Sequence, residues 1–250
     1  MRLPLALMFV IALAAPAGAG PVEDLISGAR KECRGCDLSG ANFKKADLSG
    51  VDFTGADLSE ATFHRAILAE AILVDVTAEA ANFNVADLKQ ADFTNARLGG
   101  SLFYEANLSG AVMNGADLDG TRMQRARMTG VQMQGANLEA ATLKEARVNN
   151  ADLSGATIVR TNFDYSSLGR SRFDGARVEN SGFVKANAAR VSFINATVAL
   201  TDFMTADLRN ADFSGAEITD SRFTRSDTRG ARFDGATMAR NFMEDGQYRE

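Results

Sequence analysis

A five-residue repeat runs without insertion or deletion from Cys36 to Met243. Its unit reads Ala-Asp-Leu/Phe followed by two further residues, as in residues 46–48 and 91–93. A fixed period of this kind marks a repeat architecture and takes precedence over local propensity. Because a solenoid is one quasi-linear array of stacked units, we expect a single repeat domain despite the length of 250 residues.

The period excludes a continuous helix or strand. Residues five apart form no stripe on an α-helix and alternate faces on a strand. The pattern fits if each unit is a short extended piece followed by a turn. The small residue and the large apolar residue then face inward, the residue between them faces outward, and the last two positions form a corner. Glycine ends many units, as at Gly50, and it favours the positive φ that tight turns require.

The large apolar residues, at every fifth position from 38 to 243, alternate between Phe and Leu over much of the chain. Phe43 and Phe53, for example, flank Leu48. In a four-sided coil of four units, positions two units apart lie on opposite walls, so Phe would face Phe across the interior. From 113 to 158 Met and aliphatic residues replace Phe at these positions, which predicts a softer middle of the rod.

This repeat resembles that of the pentapeptide repeat family, and the resemblance covers residues 36–243. It implies an all-β fold, the right-handed quadrilateral β-helix of pentapeptide repeat solenoids. About ten coils at about 4.8 Å each would give a rod of roughly 50 Å. The resemblance also implies one candidate function, because well-known members of the family protect gyrase as mimics of DNA.

Residues 1–19 have the features of a signal peptide. Arg2 precedes a short apolar run over residues 3–15, and residues 17–19 read Ala-Gly-Ala, which fits a cleavage site. The apolar run is shorter than the roughly 20 residues of a membrane-spanning helix. The sequence therefore predicts export to the periplasm or the exterior of a bacterium, with no transmembrane segment in the mature chain.

Residues 20–35 are predicted to form a cap segment with a short helix, since apolar residues such as Val22 and Leu25 recur at helical spacing. A solenoid end exposes apolar side chains and unpaired strand edges, so it needs a cover. Cys33 and Cys36, the two cysteines of the chain, fall in inward register and predict a structural disulfide or a buried thiol pair. The alternative is a redox motif, although the βαβ context of such motifs is missing.

The C-terminal end of the repeat has no evident helical cap. Residues 244–250 are polar and are expected to fray. Phe242 falls in an outward position and Met243 in an inward one. An uncovered end can pair with a second copy, so these two residues are candidates for C-terminal association in a homodimer, as some members of the resembled family associate.

Aliphatic residues interrupt the polar outward positions at Ile67 and Ile72, among others. Ile67 and Ile72 stand where Asp is found one coil away on either side, and Val74 lies nearby. Single exposed aliphatic residues are common on protein surfaces. A cluster of them also marks interaction sites, so these three residues are the candidate interaction patch.

Motifs that carry chemistry are absent from the sequence. It contains no nucleophile elbow, no zinc-protease motif and no phosphate-binding glycine loop. With one histidine, His64, and two cysteines it offers no catalytic triad and no complete metal site. We therefore predict a protein that is not an enzyme and that needs no cofactor and no metal.

The charge pattern limits the classes of partner that the protein is expected to bind. The net charge is −5 at pH 7, and outward Arg residues are interspersed with Asp and Glu on every wall. A nucleic-acid-binding rod should carry a basic stripe, and a mimic of DNA should carry a continuous acidic one. The favoured hypothesis is an exported scaffold that binds an unknown protein partner or the cell envelope. The alternatives are a gyrase-binding DNA mimic and a periplasmic redox protein that uses the cysteine pair.

Overall fold

A computed structural model describes residues 20–249 and confirms the quadrilateral β-helix that the family resemblance implies. Parallel bridges join each outward residue to the residue 20 positions later, from Glu32↔Asp52 at one end to Arg222↔Phe242 at the other. Each coil therefore contains four pentapeptides. The bridged region spans about ten coils, stacked at the usual spacing of paired strands.

Most units close with the same turn. The N–H of Ala46 donates to the C=O of Phe43 at 3.0 Å, while the N–H of Phe43 donates to Thr62 in the next coil at 2.8 Å. The last residue of the unit adopts a positive φ whether it is glycine, as at Gly50 (66°), or not, as at Lys45 (61°). The backbone polar groups are thus satisfied within the turn and between neighbouring coils.

The three-residue strands of the repeat lie on one wall. They form a parallel five-stranded sheet in chain order: β1 Thr157–Val159, β2 Arg177–Glu179, β3 Thr197–Ala199, β4 Glu217–Thr219 and β5 Thr237–Ala239. The other walls are joined by single-residue bridges, because the corner follows each extended piece at once.

An aromatic ladder fills much of the interior. Phe43 stacks on Phe63 one coil later, with ring centroids 5.1 Å apart, and meets Phe53 on the opposite wall edge-on at 6.3 Å. The prediction that Phe faces Phe across the interior is confirmed. The ladder stops after Phe103 and resumes at Phe163, and fully buried Met and aliphatic side chains fill the coils between them.

The N-terminal end of the rod is covered by helix α1, Pro21–Ile26. Leu25 is fully buried and Val22 packs against the core, so both cover the first coil. Ile26 is 46% exposed and points to solvent. The predicted signal peptide, residues 1–19, lies outside the described residues.

The C-terminal end differs from the frayed tail predicted for residues 244–250. β6, Asn241–Phe242, pairs antiparallel with β7, Tyr248–Arg249. The rings of Phe242 and Tyr248 lie 5.3 Å apart on this hairpin. The prediction of fraying is therefore wrong for Tyr248 and Arg249, because cross-strand bonds and the aromatic pair fold them back on the last coil.

Candidate functional site

Outward Asp side chains bond to the corner that follows them. Oδ1 of Asp47 accepts hydrogen bonds from the N–H of Ser49 at 3.0 Å and from its hydroxyl at 2.6 Å. Ser214 donates to Asp212 in the same way. These bonds, led by the serine hydroxyl, lower the pKa of both carboxyl groups below the usual range for Asp. These outward carboxylates are thus turn-forming groups held ionised, rather than groups poised for acid–base chemistry.

The outward charges also pair between coils. Arg97 bonds Glu79 at 2.6 Å, and Arg240 bonds Asp220 through two nitrogen atoms, each at 2.7 Å. Exposed pairs of this kind each contribute little to stability, typically about 0–1 kcal/mol. Their effect on recognition is larger, because they break each wall into short stretches of alternating sign.

The candidate interaction patch occupies two walls. Ile67 and Ile72 lie on neighbouring walls of one coil and are 43% and 39% exposed. Ile67 forms β-bridges with Asp47 and Asp87 in the two adjacent coils. Its apolar side chain therefore lies between two carboxylates on the same wall. Val74 lies at the next corner and is half-buried. The structure thus places the two isoleucines around one edge of the rod, with Val74 beside the second of them.

The two cysteines lie together in the first coil. Their sulfur atoms are in bonding contact and their Cα atoms are 5.3 Å apart, within the range of disulfides. Cys33 is fully buried, and its N–H donates to the C=O of Asp52 at 2.7 Å. Cys36 is half-buried against the core. The pair therefore closes the end of the core below α1, and its oxidation in the cell stays a prediction.

The C-terminal end exposes more apolar surface than the N-terminal end. Phe242 is 47% exposed and Tyr248 is 49% exposed, whereas Met243 is 9% exposed and points inward. Phe233 and Met238 in the last coil are only partly buried. The hairpin of β6 and β7 thus leaves part of the last coil open.

One corner carries a compact polar cluster. Arg125 bonds Glu145 at 2.8 Å and the hydroxyl of Tyr104 at 2.9 Å, beside Gln124 and Lys144. The hydrogen bond that Arg125 donates to Glu145 is the largest cause that raises the pKa of Arg125 above its usual value, and the bond to Tyr104 is the next. Because this guanidinium is already paired, the cluster offers little free charge for a ligand.

A second corner forms a basic groove that the sequence analysis missed. It has a volume of about 460 Å³ and is open to solvent along one side. Its lining residues are Asn149, Asn150, Gly169, Arg170, Ala189, Arg190, Arg209 and Asn210. Corner positions were interpreted only as turn formers. The available signal was the pair Arg170 and Arg190, which are one coil apart and therefore stack on the same edge.

Residues 20–249 contain neither a metal-binding cluster nor a membrane-spanning helix. In that range no group of three or more His, Cys, Asp and Glu side chains is arranged to hold a metal ion. His64 lies half-buried at a corner. None of the helices in this part of the chain is both long enough and apolar enough to cross a bilayer.

Two family profiles match the chain. The profile described as "Pentapeptide repeat region" matches residues 46–123, and that described as "Pentapeptide repeats (8 copies)" matches residues 136–175 and 189–225. Together with the observed coil geometry, they define a β-helical repeat protein with an apolar interior. The chain belongs to the pentapeptide repeat family.

Solved structures of other pentapeptide repeat proteins resemble this one. HetL of the cyanobacterium Nostoc sp., which is involved in heterocyst differentiation regulation, aligns with a TM-score of 0.68 and 22% identity, covering 92% of this chain and 99% of HetL. Rfr23 of the cyanobacterium Cyanothece is 29% identical over 46% of this chain and 86% of its own, with a TM-score of 0.35. QnrB1, a plasmid-mediated fluoroquinolone resistance protein, is 18% identical over 83% and 93% of the two chains, with a TM-score of 0.33. The match to HetL shows a shared fold. No curated protein is significantly similar to this chain in sequence.

Proposed function

We propose that this protein is an exported, non-enzymatic scaffold that binds a protein partner or the cell envelope through the walls of its rod. The supporting observation is the packing of the interior. The large inward apolar side chains from Leu38 to Phe223 are at most 2% exposed, so the coils leave no room for a substrate inside. Recognition then rests on outward and corner residues, which differ from coil to coil.

Export is supported by the amino-acid pattern of residues 1–19 and by the close pair of Cys33 and Cys36. Disulfides persist in oxidising compartments such as the periplasm. Gyrase lies in the cytoplasm, so export argues against the DNA-mimic alternative. The alternating signs on the walls argue in the same direction.

One measurement, the reduction potential of the cysteine pair, distinguishes a redox protein from a scaffold. A structural disulfide has a reduction potential below about −300 mV, whereas catalytic pairs are more oxidising. A value above about −230 mV for Cys33 and Cys36 would favour a redox protein over a scaffold.

The surface that we assign to the partner is the edge formed by Ile67 and Ile72. A photo-crosslinking amino acid placed at either position should yield an adduct with a partner in intact cells. Thr62 and Thr77 occupy the equivalent outward positions on the other two walls of the same coil, so they provide matched controls. Adducts of equal yield from all four positions would contradict a specific patch.

The C-terminal end supports a second interaction, with another copy of this chain. Phe242 and Tyr248 present exposed rings beside the partly open last coil. We expect sedimentation analysis to show a dimer that the substitution Phe242→Lys dissociates, because a charge would then be buried at the interface. A monomer at all accessible concentrations would exclude this interaction.

A further inference from the structure

The basic corner groove runs along one edge of the rod, across successive coils. Gly169 and Ala189 form its floor because their side chains are small, and Arg170 and Arg190 follow them in the chain. Adjacent coils are separated by about 4.8 Å, so the two arginines lie side by side along the edge. Its volume of about 460 Å³ exceeds that of the groove beside Arg125, about 250 Å³.

The charges of this groove are only partly neutralised. Arg209 is held by Asp207 through two hydrogen bonds, of 2.8 Å and 2.6 Å. Among the residues that the structure describes, Arg170 and Arg190 form no ion pair and no side-chain hydrogen bond. Each guanidinium has five N–H donors, and a carboxylate can accept two of them at once. Two neighbouring cations are therefore available to an anionic ligand.

The backbone fixes the base of both side chains. Arg170 and Arg190 have a φ of 61°, and their N–H groups donate to carbonyl groups of the next coil at 3.1 Å and 2.9 Å. Asn149 adds to the groove, because its Oδ1 accepts the N–H of Gly169 at 3.0 Å. That bond leaves the amide NH₂ of Asn149 as a donor beside the arginines. A site whose backbone is already ordered loses less entropy when it binds a ligand.

The surroundings of the groove favour an acidic peptide over a nucleic acid. Arg170, Arg190 and Arg209 extend over two coil rises, roughly 10 Å. At the C-terminal end of this stretch Asp207 pairs with Arg209, and one coil further on Asp227 pairs with Arg229. A duplex carries a phosphate charge about every 1.7 Å of its length and would meet those carboxylates. Alternate side chains of an extended peptide lie about 6.8 Å apart, so two of them fit within the basic stretch.

We propose that the basic corner groove binds an extended acidic segment of a partner protein, with Arg170 and Arg190 as the residues that hold its carboxylates. This inference rests on the proposed scaffold function and adds the chemistry of one partner contact. The groove lies on the same edge of the rod as the isoleucine patch, but about five to six coils nearer the C-terminus. The two surfaces can therefore be tested separately.

The test is fluorescence polarisation with a labelled peptide that contains six glutamates in a Gly-Ser frame, and a matched peptide with glutamine in their place. The substitutions Arg170→Gly and Arg190→Gly, made together, remove both charges. Glycine suits a positive φ, so the variant should fold at least as well as the natural chain. Arg65→Gly with Arg225→Gly removes the same charge from corner positions with φ of 60° and 61° and is the matched control.

We expect the glutamate peptide to bind and the glutamine peptide not to bind. The first double variant should weaken binding about tenfold or more, and the control variant by less than about threefold. Equal losses in the two double variants would show general charge attraction and overturn the proposal, as would no binding at all. Displacement of the peptide by a single-stranded oligonucleotide at a lower concentration than by unlabelled peptide would also overturn it. Specific crosslinks from Ile67 and Ile72 alongside such a failure would leave the scaffold function standing.

Discussion

The aromatic ladder makes a quantitative prediction at Phe193. This side chain is fully buried. Its ring stacks on Phe173 and Phe213, with centroids 4.8 Å and 5.0 Å away, and meets Phe183 and Phe203 edge-on at 6.1 Å and 5.9 Å. The substitution Phe193→Ala therefore removes four aromatic contacts and leaves a cavity between two coils.

The expected loss can be worked from these contacts. A buried Phe removes roughly 150–250 Å² from water, worth roughly 4–6 kcal/mol at 25 cal/mol per Å². Alanine retains part of this burial free energy, so Phe193→Ala should lower the free energy of unfolding by about 3–5 kcal/mol. Phe193→Leu retains most of the volume and should lower it by about 1–1.5 kcal/mol. Met128→Ala, in the coils without Phe, should lower it by about 2–3 kcal/mol.

Urea titration followed by circular dichroism measures these losses, and hydrogen exchange shows which coils open. Hydrogen exchange is needed because a solenoid can unfold by segments, so one midpoint need not describe the whole rod. Equal losses for Phe193→Ala and Met128→Ala would refute the softer middle. A loss below about 1 kcal/mol for Phe193→Ala would refute the stabilising role of the ladder itself.

Three further perturbations have defined outcomes. Replacing Cys33 and Cys36 with Ser should reduce hydrogen-exchange protection in the first coil and preserve it in later coils. The disulfide closes only a short loop, so it constrains the chain only near the two cysteines. Asp212→Ala should lower stability by about 1 kcal/mol in urea titration, since the corner loses its acceptor, whereas Asp212→Asn should lower it less. Acidification from about pH 5 to pH 2 should lower the free energy of unfolding measured by urea titration at each pH. Arg229 holds the pKa of Asp227 at about 2, below the unfolded value of about 3.9, so that stabilisation is present above the unfolded pKa and is lost as the pH falls through the folded pKa.

Most of the rod could be predicted because one period determines every inward position. Phe43, Leu48 and Phe53 are buried where the register puts them, and the cap helix lies where Val22 and Leu25 predict it. A one-residue shift would expose every large apolar residue, so the pattern permits a single register.

The features that could not be predicted are those outside the period. β6 and β7 pair through a turn whose sequence is polar and non-repetitive, so composition alone suggested fraying. The period also does not indicate that Asp52, in an outward position, is only 8% exposed and bonds Thr54. Arg170 and Arg190 are 20 positions apart, so a coil of four units places them side by side, but the sequence does not show that they lack acidic partners.

The intact mass of the protein isolated from its own cells tests the proposal of an exported scaffold most directly. Signal cleavage and an oxidising compartment predict a chain that begins at Gly20 and is two hydrogen atoms lighter than its reduced form, because Cys33 and Cys36 are joined. The same chain should be recovered from the periplasmic or secreted fraction. A chain with Met1 intact and both thiols reduced, recovered from the cytoplasm, would contradict export and favour the gyrase-binding alternative.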